Sequence, residues 1–545
     1  IQLREGNRDK REFTFQAGIL GIDVSAEGPF VKDKKATYLF NYRYSTFGLL
    51  KDINVLPTEQ IPEYQDLSFK LNFPTKNVGV FSLWGVGGSD LNVEPEENDS
   101  TKWETTWDRV KYDFKAKMGA LGLNHKYIFG EKAYLNSTLA LTGNRNDMDM
   151  RRLDDALELR PVYLVDDNSS KLSLHSFLNY KFNARHTNKT GLYYKTLFFN
   201  QKLAGATIEQ KPETFRQFVD EEGSGHLTQI YTQSKYQFTS DFNMTLGINA
   251  EYFDINEDFN LNPRLGLNWQ FQPGHSFSLG YGKHTQPEPL KIYFIDHTDD
   301  NSRSYPNKDL KLSQANHFVL GYDWMINKNL RLKIEPYYQY LYDMPGIADS
   351  SYSMINFKQD FALRDNLQNN TKAYNYGVDF TLERFLKNNY YYLITASLFS
   401  SKYQEANGET YSTRWDKQYV LNILFGKEFI IGKSGNNILG VNGRLNLIGG
   451  ERYSPVLRQI SRMEERVVYD HSSAFSQQFE TMRYLDVSLS YRINKQKYSS
   501  VLSLQVKNIL GTPLNEGFKY NYKKDKVEES KIYVILPVIS YKIEF

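Results

Sequence analysis

The last thirteen residues, 533–545, constrain the fold more than any other stretch, and they read YVILPVISYKIEF. In steps of two, six apolar or aromatic residues share one face of an extended strand: Tyr533, Ile535, Ile539, Tyr541, Ile543 and Phe545. The opposite face carries Ser540, Lys542 and Glu544. A period of two predicts a strand, and one aromatic, apolar face is typical of transmembrane β-barrels. We predict that 531–545 is the last strand of such a barrel, that the six residues form its assembly signal, and that Pro537 causes a bulge or a pairing gap.

The composition favours strands over helices as the elements that cross the membrane. The chain has 545 residues, with 40 Tyr and 35 Phe, yet its mean hydropathy is only −0.58. A transmembrane strand needs an apolar residue only at every second position, so a low mean hydropathy is compatible with it. A transmembrane helix needs about 18 or more consecutive apolar residues, and the sequence contains no such run. Transmembrane helices are therefore excluded.

About 22 segments with this alternation follow one another, joined in turn by short turns and by longer polar loops. An even number of antiparallel strands in this range is typical of plugged outer-membrane barrels, with short periplasmic turns and long extracellular loops. The predicted long loops are 50–64, 89–105, 147–168, 204–224, 287–311, 344–370, 404–415, 451–480 and 511–530. A soluble sandwich or propeller is the alternative, but strands of about ten to fifteen residues are rare there, and no blade-length repeat appears.

Charge and residue chemistry exclude several functional classes. The formal net charge is +2, from 66 basic and 64 acidic residues, so no basic field is present to attract nucleic acid. Cysteine is absent, and the nine histidines form no zinc-binding motif. Acidic loop segments such as 94–99 leave loop-bound calcium open, although none follows a calcium-loop spacing. We therefore predict no enzyme, no catalytic residues, no cofactor and no metal site.

Two sets of residues are candidates for the functional surfaces. A lipid-facing arginine near the membrane midplane would cost about 2–4 kcal/mol, so arginines within predicted strands are expected to face the lumen: Arg264, Arg331 and Arg492. There they either line a translocation path or pair with acidic groups inside the barrel. Aromatic residues in the long outer loops are candidates to contact a ligand or a partner: Tyr293, Phe294, Tyr305, Tyr352 and Phe357.

Several stretches resemble the TonB-dependent outer-membrane receptors, in the form common in Bacteroidetes-type bacteria. They are NPRLGLNWQF (262–271), YGKHTQPEPL (281–290), LKLSQANHFVLGYDW (310–324), TRWDKQYVLNILFGKEF (413–429), GGERYSP (449–455) and VKNILG (506–511). The resemblance spans nearly the whole chain and implies a barrel in the Gram-negative outer membrane, in contact with outer-membrane lipid. It also implies capture of a scarce nutrient by the outer loops, and release driven by a TonB-type energy-transducing protein that acts on a plug inside the barrel.

The opening segment IQLREGNRDKREFTFQAG (1–18) resembles the junction between that family's plug and its first barrel strand. We therefore expect 1–11 to be the end of the plug and the junction, and 12–545 to be the transmembrane barrel. The plug itself is then absent from this chain, so it is supplied separately, trimmed or not used. The cargo class stays open among metal chelates, vitamins, oligosaccharides and peptides.

A competing hypothesis makes the barrel a scaffold subunit of an outer-membrane assembly, with transport lost or secondary. A surface lipoprotein or other envelope subunits would then dock on its outer loops. A plugless diffusion pore is a third alternative, and it leaves the long outer loops without a task. Stable co-purification with partner chains favours the scaffold, whereas a dissociable small ligand favours the transporter.

Overall fold

The fold is a closed antiparallel barrel. A computed structural model describes residues 3–46, 63–206, 215–299, 302–357, 363–432 and 435–545. In these ranges one sheet contains 23 strands, of which the three-residue strand Thr410–Ser412 only extends the edge of its neighbour. The other 22 form a ring, because the first strand pairs with the last. The prediction of a 22-stranded barrel is therefore confirmed.

The strands follow one another around the ring in chain order, with accessory strands in the outer connections. They are β1 (Glu12–Gly18), β2 (Gly21–Pro29), β3 (Thr37–Tyr44), β4 (Glu63–Pro74), β5 (Val80–Glu94), β6 (Val110–Phe129), β7 (Ala133–Leu153), β8 (Leu159–Lys181), β9 (His186–Gly205), β10 (Arg216–Gln237), β11 (Phe242–Phe253), β12 (Asp258–Gln272), β13 (His275–Gln286), β14 (His297–Asp299), β15 (Ser302–Ser304), β16 (Ser313–Asn327), β17 (Leu330–Gly346), β18 (Gln368–Lys387), β19 (Tyr390–Gln404), β20 (Thr410–Ser412), β21 (Tyr419–Ile431), β22 (Asn437–Ile448), β23 (Arg452–Tyr453), β24 (Gln477–Gln478), β25 (Met482–Asn494), β26 (Ser499–Lys507), β27 (Leu514–Asn521), β28 (Lys526–Ile532) and β29 (Leu536–Glu544). Three hairpins lie outside the barrel sheet: β14–β15, β23–β24 and β27–β28.

The described helices are short and lie in the outer connections. They are the α-helices Leu290–Tyr293 and Arg458–Met463 and the 3-10 helices Ser100–Lys102, Thr106–Arg109, Met354–Asn356 and His471–Ser473. None of the helices in the described ranges is long and apolar enough to cross a membrane.

Side chains alternate between an apolar outer face and a polar inner face, as strand geometry requires. In β25, Leu489 lies opposite Val441 of β22 and Leu504 of β26, on the outer face. The next residue, Ser490, lies opposite Ser503 on the inner face. The outer face therefore matches lipid, and the inner face lines a polar lumen.

The wall of the barrel is much taller on one side than on the other. Strands β6 to β10 have 20 to 23 residues, whereas β1, β2, β3, β26 and β29 have seven to nine. The tall strands correct two predicted loops. The loop predicted at 147–168 shrinks to 154–158 because β7 and β8 extend into it, and β9 and β10 shorten the loop predicted at 204–224 in the same way. Above the membrane both faces of a strand meet water, so no apolar period marks these extensions in the sequence.

Another predicted loop, 511–530, contains the hairpin β27–β28. This hairpin leans over the short side of the wall. The backbone N–H of Tyr522 donates to the carbonyl of Glu104 at 2.8 Å, and its hydroxyl lies 2.7 Å from Oγ1 of Thr106. These hydrogen bonds join the hairpin to the connection 95–109 between β5 and β6. The loop predicted at 50–64 lies almost entirely outside the described residues.

The last strand is shorter than its predicted span of 531–545. Strand β29 begins at Leu536, so Tyr533 and Ile535 precede it, and their placement on this strand was wrong. Continuous apolar residues from Ile532 to Ile539 hide this boundary in the sequence. Pro537 lies opposite Val506 of β26 without a register shift, while the ladder with β1 stops at Ser540. Pro537 therefore causes no bulge. It has no partner on the side of β1 because β1 ends at Gly18.

Residues ahead of β1 lie against the inner face of the barrel. The Nζ of Lys70 donates to the carbonyl of Leu3 at 2.8 Å, and the backbone N–H of Asn7 donates to Glu27 at 2.9 Å. The guanidinium of Arg4 also pairs with Glu27. This placement suits a junction that enters the lumen. The division into 1–11 and 12–545 stays a prediction.

Candidate ligand path through the barrel

Two outer connections fold inward and cover part of the outer mouth. They are 287–312, between β13 and β16, and 347–367, between β17 and β18. Their buried apolar side chains pack against the inner face of β9, β10 and β11. This cluster, called the loop core below, contains Leu197, Leu203, Val219, Leu227, Phe253, Ile292, Tyr293, Ile295, Leu310, Leu312, Met354, Leu363 and Leu367. No sequence pattern marks the loop core, because irregular loops show no period that distinguishes inward-facing residues.

Tyr293 lies at the centre of the loop core and is 0% exposed. Its ring packs edge-on against Phe253 at 5.7 Å, and its hydroxyl accepts the backbone N–H of Glu288 at 3.1 Å. Burial raises the pKa of Tyr293 far above its ordinary value. Burial also raises the pKa of Glu288, although a hydrogen bond from the Ser313 hydroxyl opposes that shift. In this conformation Tyr293 is a packing residue with no surface to offer a ligand.

The other four predicted loop aromatics join the same cluster. Phe294 lies 4.8 Å from the ring of Phe199 and 5.9 Å from that of Tyr305. The Tyr305 hydroxyl donates to Glu221 of β10 at 2.5 Å. Tyr352 and Phe357 pack against the rim of the core, and burial raises the pKa of Tyr352 to about 12. The structure thus brings all five residues together, and their contact with a ligand stays a prediction.

A polar clasp fastens the two inward-folded connections to each other and to the wall. Nδ1 of His297 lies 2.9 Å from Oδ2 of Asp365, and Nη1 of Arg216 lies 3.6 Å from the same oxygen. Burial by itself would raise the pKa of Asp365, but the hydrogen bond from His297 and the charge of Arg216 lower it below its ordinary value. The clasp therefore contributes stability while Asp365 is ionised.

We expect an Asp365→Asn substitution to loosen both connections. Losing one such contact, worth about 1 kcal/mol, should make local opening about fivefold more frequent. Limited proteolysis or hydrogen exchange of peptides from 287–312 measures this. In the wild type, the stability that the clasp contributes should be fully present above about pH 4, the ordinary pKa of an aspartate. It should be lost as the pH falls through the lower pKa of Asp365 in the folded protein. Glu158→Gln, which removes a rim carboxylate that pairs with Arg160, is the control, and equal opening rates in both variants would contradict the assignment.

The three arginines predicted to face the lumen occupy separate parts of the inner wall. Arg264 of β12 lies opposite Gly247 and Gly282. Nε of Arg331 donates to Oδ1 of Asp323 at 3.0 Å. Nη1 of Arg492 lies 3.9 Å from Oε2 of Glu544. Two of the three thus pair with carboxylates of the barrel itself, and their role stays a prediction.

Arg264 belongs to a larger set of lumen-facing cations, whose other members were not predicted from the sequence. We define the cationic wall as Lys171, Lys189, Lys195 and Arg264, on the inner face of β8, β9 and β12. Within the part of the chain that the structure describes, none of the four has a carboxylate partner within 4.0 Å. The even spacing of Lys189 and Lys195 in β9 indicates a shared face. Their proximity to β8 and β12 depends on strand register, which one sequence does not reveal.

Aromatic rings hold two of these lysines in place. Nζ of Lys189 lies 3.9 Å from the ring centroid of Phe177, and Nζ of Lys195 lies 4.8 Å from that of Tyr193. His175 stacks on Tyr193 at 4.6 Å. These contacts orient the ammonium groups without neutralising them. The cationic wall can therefore attract an anionic group that enters the lumen.

The residues of the predicted assembly signal lie beside the seam of the barrel. Ile539, Tyr541 and Ile543 lie on the outer face of β29, and the ring of Phe545 stacks on Phe13 at 5.8 Å. Tyr533 lies ahead of β29 and is 70% exposed. The role of these residues in assembly stays a prediction.

The residues that the structure describes contain no group of three or more His, Asp or Glu side chains placed to hold a metal ion. The polar groups of the lumen are spread along the wall, and they can bind and guide a molecule by charge and hydrogen bonding.

Comparison with protein families agrees with this architecture. The family described as "TonB dependent receptor-like, beta-barrel" matches residues 41–509, which is most of the chain. The chain therefore belongs to this family, whose members are receptors and transporters of the Gram-negative outer membrane. A search of curated proteins finds no match to the sequence.

Solved structures with the same fold include several siderophore receptors of low sequence identity. The ferric-catecholate import receptor Fiu from K12 E. coli superposes with a TM-score of 0.69 at 11% identity, covering 99% of this chain and 82% of Fiu. The pyoverdine receptor FpvA from Pseudomonas aeruginosa PAO1, bound to pyoverdine, gives 0.69 at 11% identity, covering 100% and 79%. The ferric yersiniabactin uptake receptor FyuA from Yersinia pestis gives 0.67 at 10% identity, covering 99% and 80%. At these identities the likeness shows the shared fold.

Proposed function

We propose that this chain is the barrel of a transporter that takes up a scarce nutrient across the outer membrane, with an anionic metal chelate as its cargo. The observation that carries the proposal is the cationic wall, which lies in the lumen of a closed barrel. Coupling to a TonB-type protein through a plug, and the kinship with Bacteroidetes-type receptors, belong to the same proposal.

The cargo class follows from charge. Four cations without carboxylate partners among the described residues favour an anionic molecule over a neutral oligosaccharide or vitamin. Iron chelates built from catecholate or carboxylate groups commonly carry negative charge. Two of the similar structures, a ferric-catecholate import receptor and a receptor bound to pyoverdine, support the same class.

Uptake of a labelled ferric-catecholate chelate by cells tests the proposal directly. Cells that produce the complete protein should accumulate the label, and this accumulation should stop when the proton gradient is dissipated. Cells that lack the protein are the control. Equal accumulation with and without the protein, across catecholate and carboxylate chelates, would count against the proposed cargo.

Removal of the cationic wall should weaken binding of the chelate. Each charge contact of this exposure contributes about 0.5–1 kcal/mol, so the triple variant Lys171→Gln, Lys189→Gln, Lys195→Gln should bind about tenfold or more weakly. Isothermal titration with the purified protein measures this at low salt, because screening reduces the effect. Lys202→Gln, on the outer face of β9 beside Asp220, is the matched control. Unchanged affinity in the triple variant would contradict this role.

A second candidate function, the scaffold of an envelope assembly, is favoured by one feature of the outer surface. Leu457, Ile460 and Met463 project from the segment around the helix Arg458–Met463, and Met463 is 84% exposed. Exposed apolar side chains on an extracellular helix suit a docked lipoprotein or another envelope subunit. Purification in mild detergent distinguishes the two functions. A stoichiometric partner that is lost in a Met463→Asp variant would support the scaffold.

A further inference from the structure

The outer wall of the barrel carries an apolar groove of about 490 Å³, separate from the ligand path in the lumen. Its floor is a row of three glycines that face one another across β5, β6 and β7: Gly87, Gly119 and Gly143. Phe69, Leu121 and Leu141 flank the row. All six lie on the lipid-facing side of the wall, because they alternate with lumen-facing residues such as Asn124 and Thr138.

The space above Gly119 and Gly143 is open enough for a side chain. A Cβ atom built on Gly119 would have Val86 O, at 3.7 Å, as its nearest neighbour, and one on Gly143 would have Ser169 O and Ser170 Cβ, both at 3.7 Å. A larger residue therefore fits at either position and would fill the groove. The strand structure at these positions does not itself require glycine. Glycine in the interior of a strand weakens the strand, and it often marks a place that a ligand or another backbone approaches closely.

Two free cations stand directly above the groove on the same face. Lys117 is the next outward-facing residue after Gly119 in β6, and Lys115 follows it. Both are exposed, and neither has an ion pair among the described residues. The neighbouring Arg145 is different, because Asp147 at 3.0 Å and Asp166 at 3.6 Å neutralise it.

The depth of the groove places it in the outer leaflet. Ten residues of β6 separate Phe129, beside the periplasmic turn, from Gly119. At about 3.3 Å per residue and a tilt of about 40°, they rise about 25 Å, which is the height of the apolar band of such barrels. The groove therefore lies at the level of outer-leaflet acyl chains, and Lys117 and Lys115 lie at the level of the headgroups.

We propose that this groove binds a phosphorylated, acylated lipid of the outer leaflet, of the lipid A class. One acyl chain would lie on the three glycines, and a phosphate would contact the ammonium groups of Lys117 and Lys115. The apolar groove matches the chain, and basic groups at the membrane surface match the anionic headgroup. This combination favours an amphiphile over a partner protein. The apolar groove and the two lysines follow one another along the membrane normal, in the same order as the acyl chain and the headgroup of a lipid.

Native mass spectrometry of the complete protein in detergent, titrated with bis-phosphorylated lipid A, tests this proposal. Loss of a basic residue near a lipid headgroup weakens binding about fivefold, so Lys115→Ala with Lys117→Ala should weaken it about 30-fold. Gly119→Leu fills the groove and excludes a segment of the acyl chain from it. The lost transfer energy of that segment should weaken binding of lipid A about tenfold or more. Dephosphorylated lipid A should bind less tightly and should not respond to the lysine substitutions.

Matched variants control for general effects of the substitutions. Gly443→Leu adds the same side chain to a lipid-facing glycine of β22, where a Cβ atom would have Asp486 O at 4.0 Å as its nearest neighbour. Lys427→Ala removes an outward lysine of β21, which lies opposite Val441 on another side of the barrel. Both should bind lipid A like the wild type. Wild-type affinity in Gly119→Leu or in the lysine pair would overturn the proposal, and the lysine pair keeps the test valid if the leucine variant fails to fold.

Discussion

A lysine in place of Leu489 is expected to lower the free energy of unfolding of the barrel by about 2–4 kcal/mol, the cost of a lipid-facing lysine near the bilayer midplane. Leu489 lies midway along β25, between Val441 and Leu504, and is 43% exposed on the outer face. The ammonium group would have to leave water for hydrocarbon or bend towards a distant interface. Either outcome destabilises the folded barrel.

The same substitution at Ser490 is the internal control. Ser490 faces the polar lumen beside Ser503, so a lysine there stays hydrated and should change stability by less than about 0.5 kcal/mol. Urea titration of refolding into lipid vesicles, followed by heat-modifiable migration in gels, measures both variants. Equal stability of the two variants would mean that the faces of β25 are reversed.

The barrel itself is predictable because the membrane imposes a simple rule on each strand. Lipid requires an apolar residue at every second position, so strands such as β25 and β26 appear in the sequence as clean alternation. The rule stops at the edge of the membrane. The tall extensions of β7 and β8 show no such alternation, so the sequence predicts a loop there, although the two strands continue their ladder to Leu153 and Leu159.

The functional surfaces were less predictable, because they depend on contacts between distant segments. The five loop aromatics are predicted to contact a ligand or a partner, and that stays a prediction. Their packing, such as that of Tyr293 on Phe253 in the loop core, has no counterpart in the sequence pattern. The cationic wall needs the register of β8, β9 and β12, and the groove needs three glycines brought side by side. A single chain carries no local pattern for such alignments.

Removal of Phe545 is expected to reduce the amount of barrel inserted into the outer membrane about tenfold or more. Phe545 forms the lowest rung of the seam between β29 and β1. Its backbone N–H donates to the carbonyl of Phe13 at 3.0 Å, and its carbonyl accepts the N–H of Phe13 at 2.8 Å. Each such bond contributes about 1 kcal/mol. Loss of both, together with the ring contact to Phe13, leaves the closing edge of the sheet unpaired where the barrel must seal against lipid.

Two substitutions separate the contributions of the backbone and of the ring. Phe545→Tyr keeps both, so its insertion should equal that of the wild type. Phe545→Ala keeps the two backbone bonds and loses only the ring, so it should insert at an intermediate level if the aromatic group serves in assembly. Quantitative immunoblots of outer-membrane fractions, with total protein as the reference, measure all three variants. Because the seam between β1 and β29 is only five residue pairs long, it has few other contacts to compensate for a lost rung, and unchanged insertion of the deletion would show that the seam closes without its terminal residue.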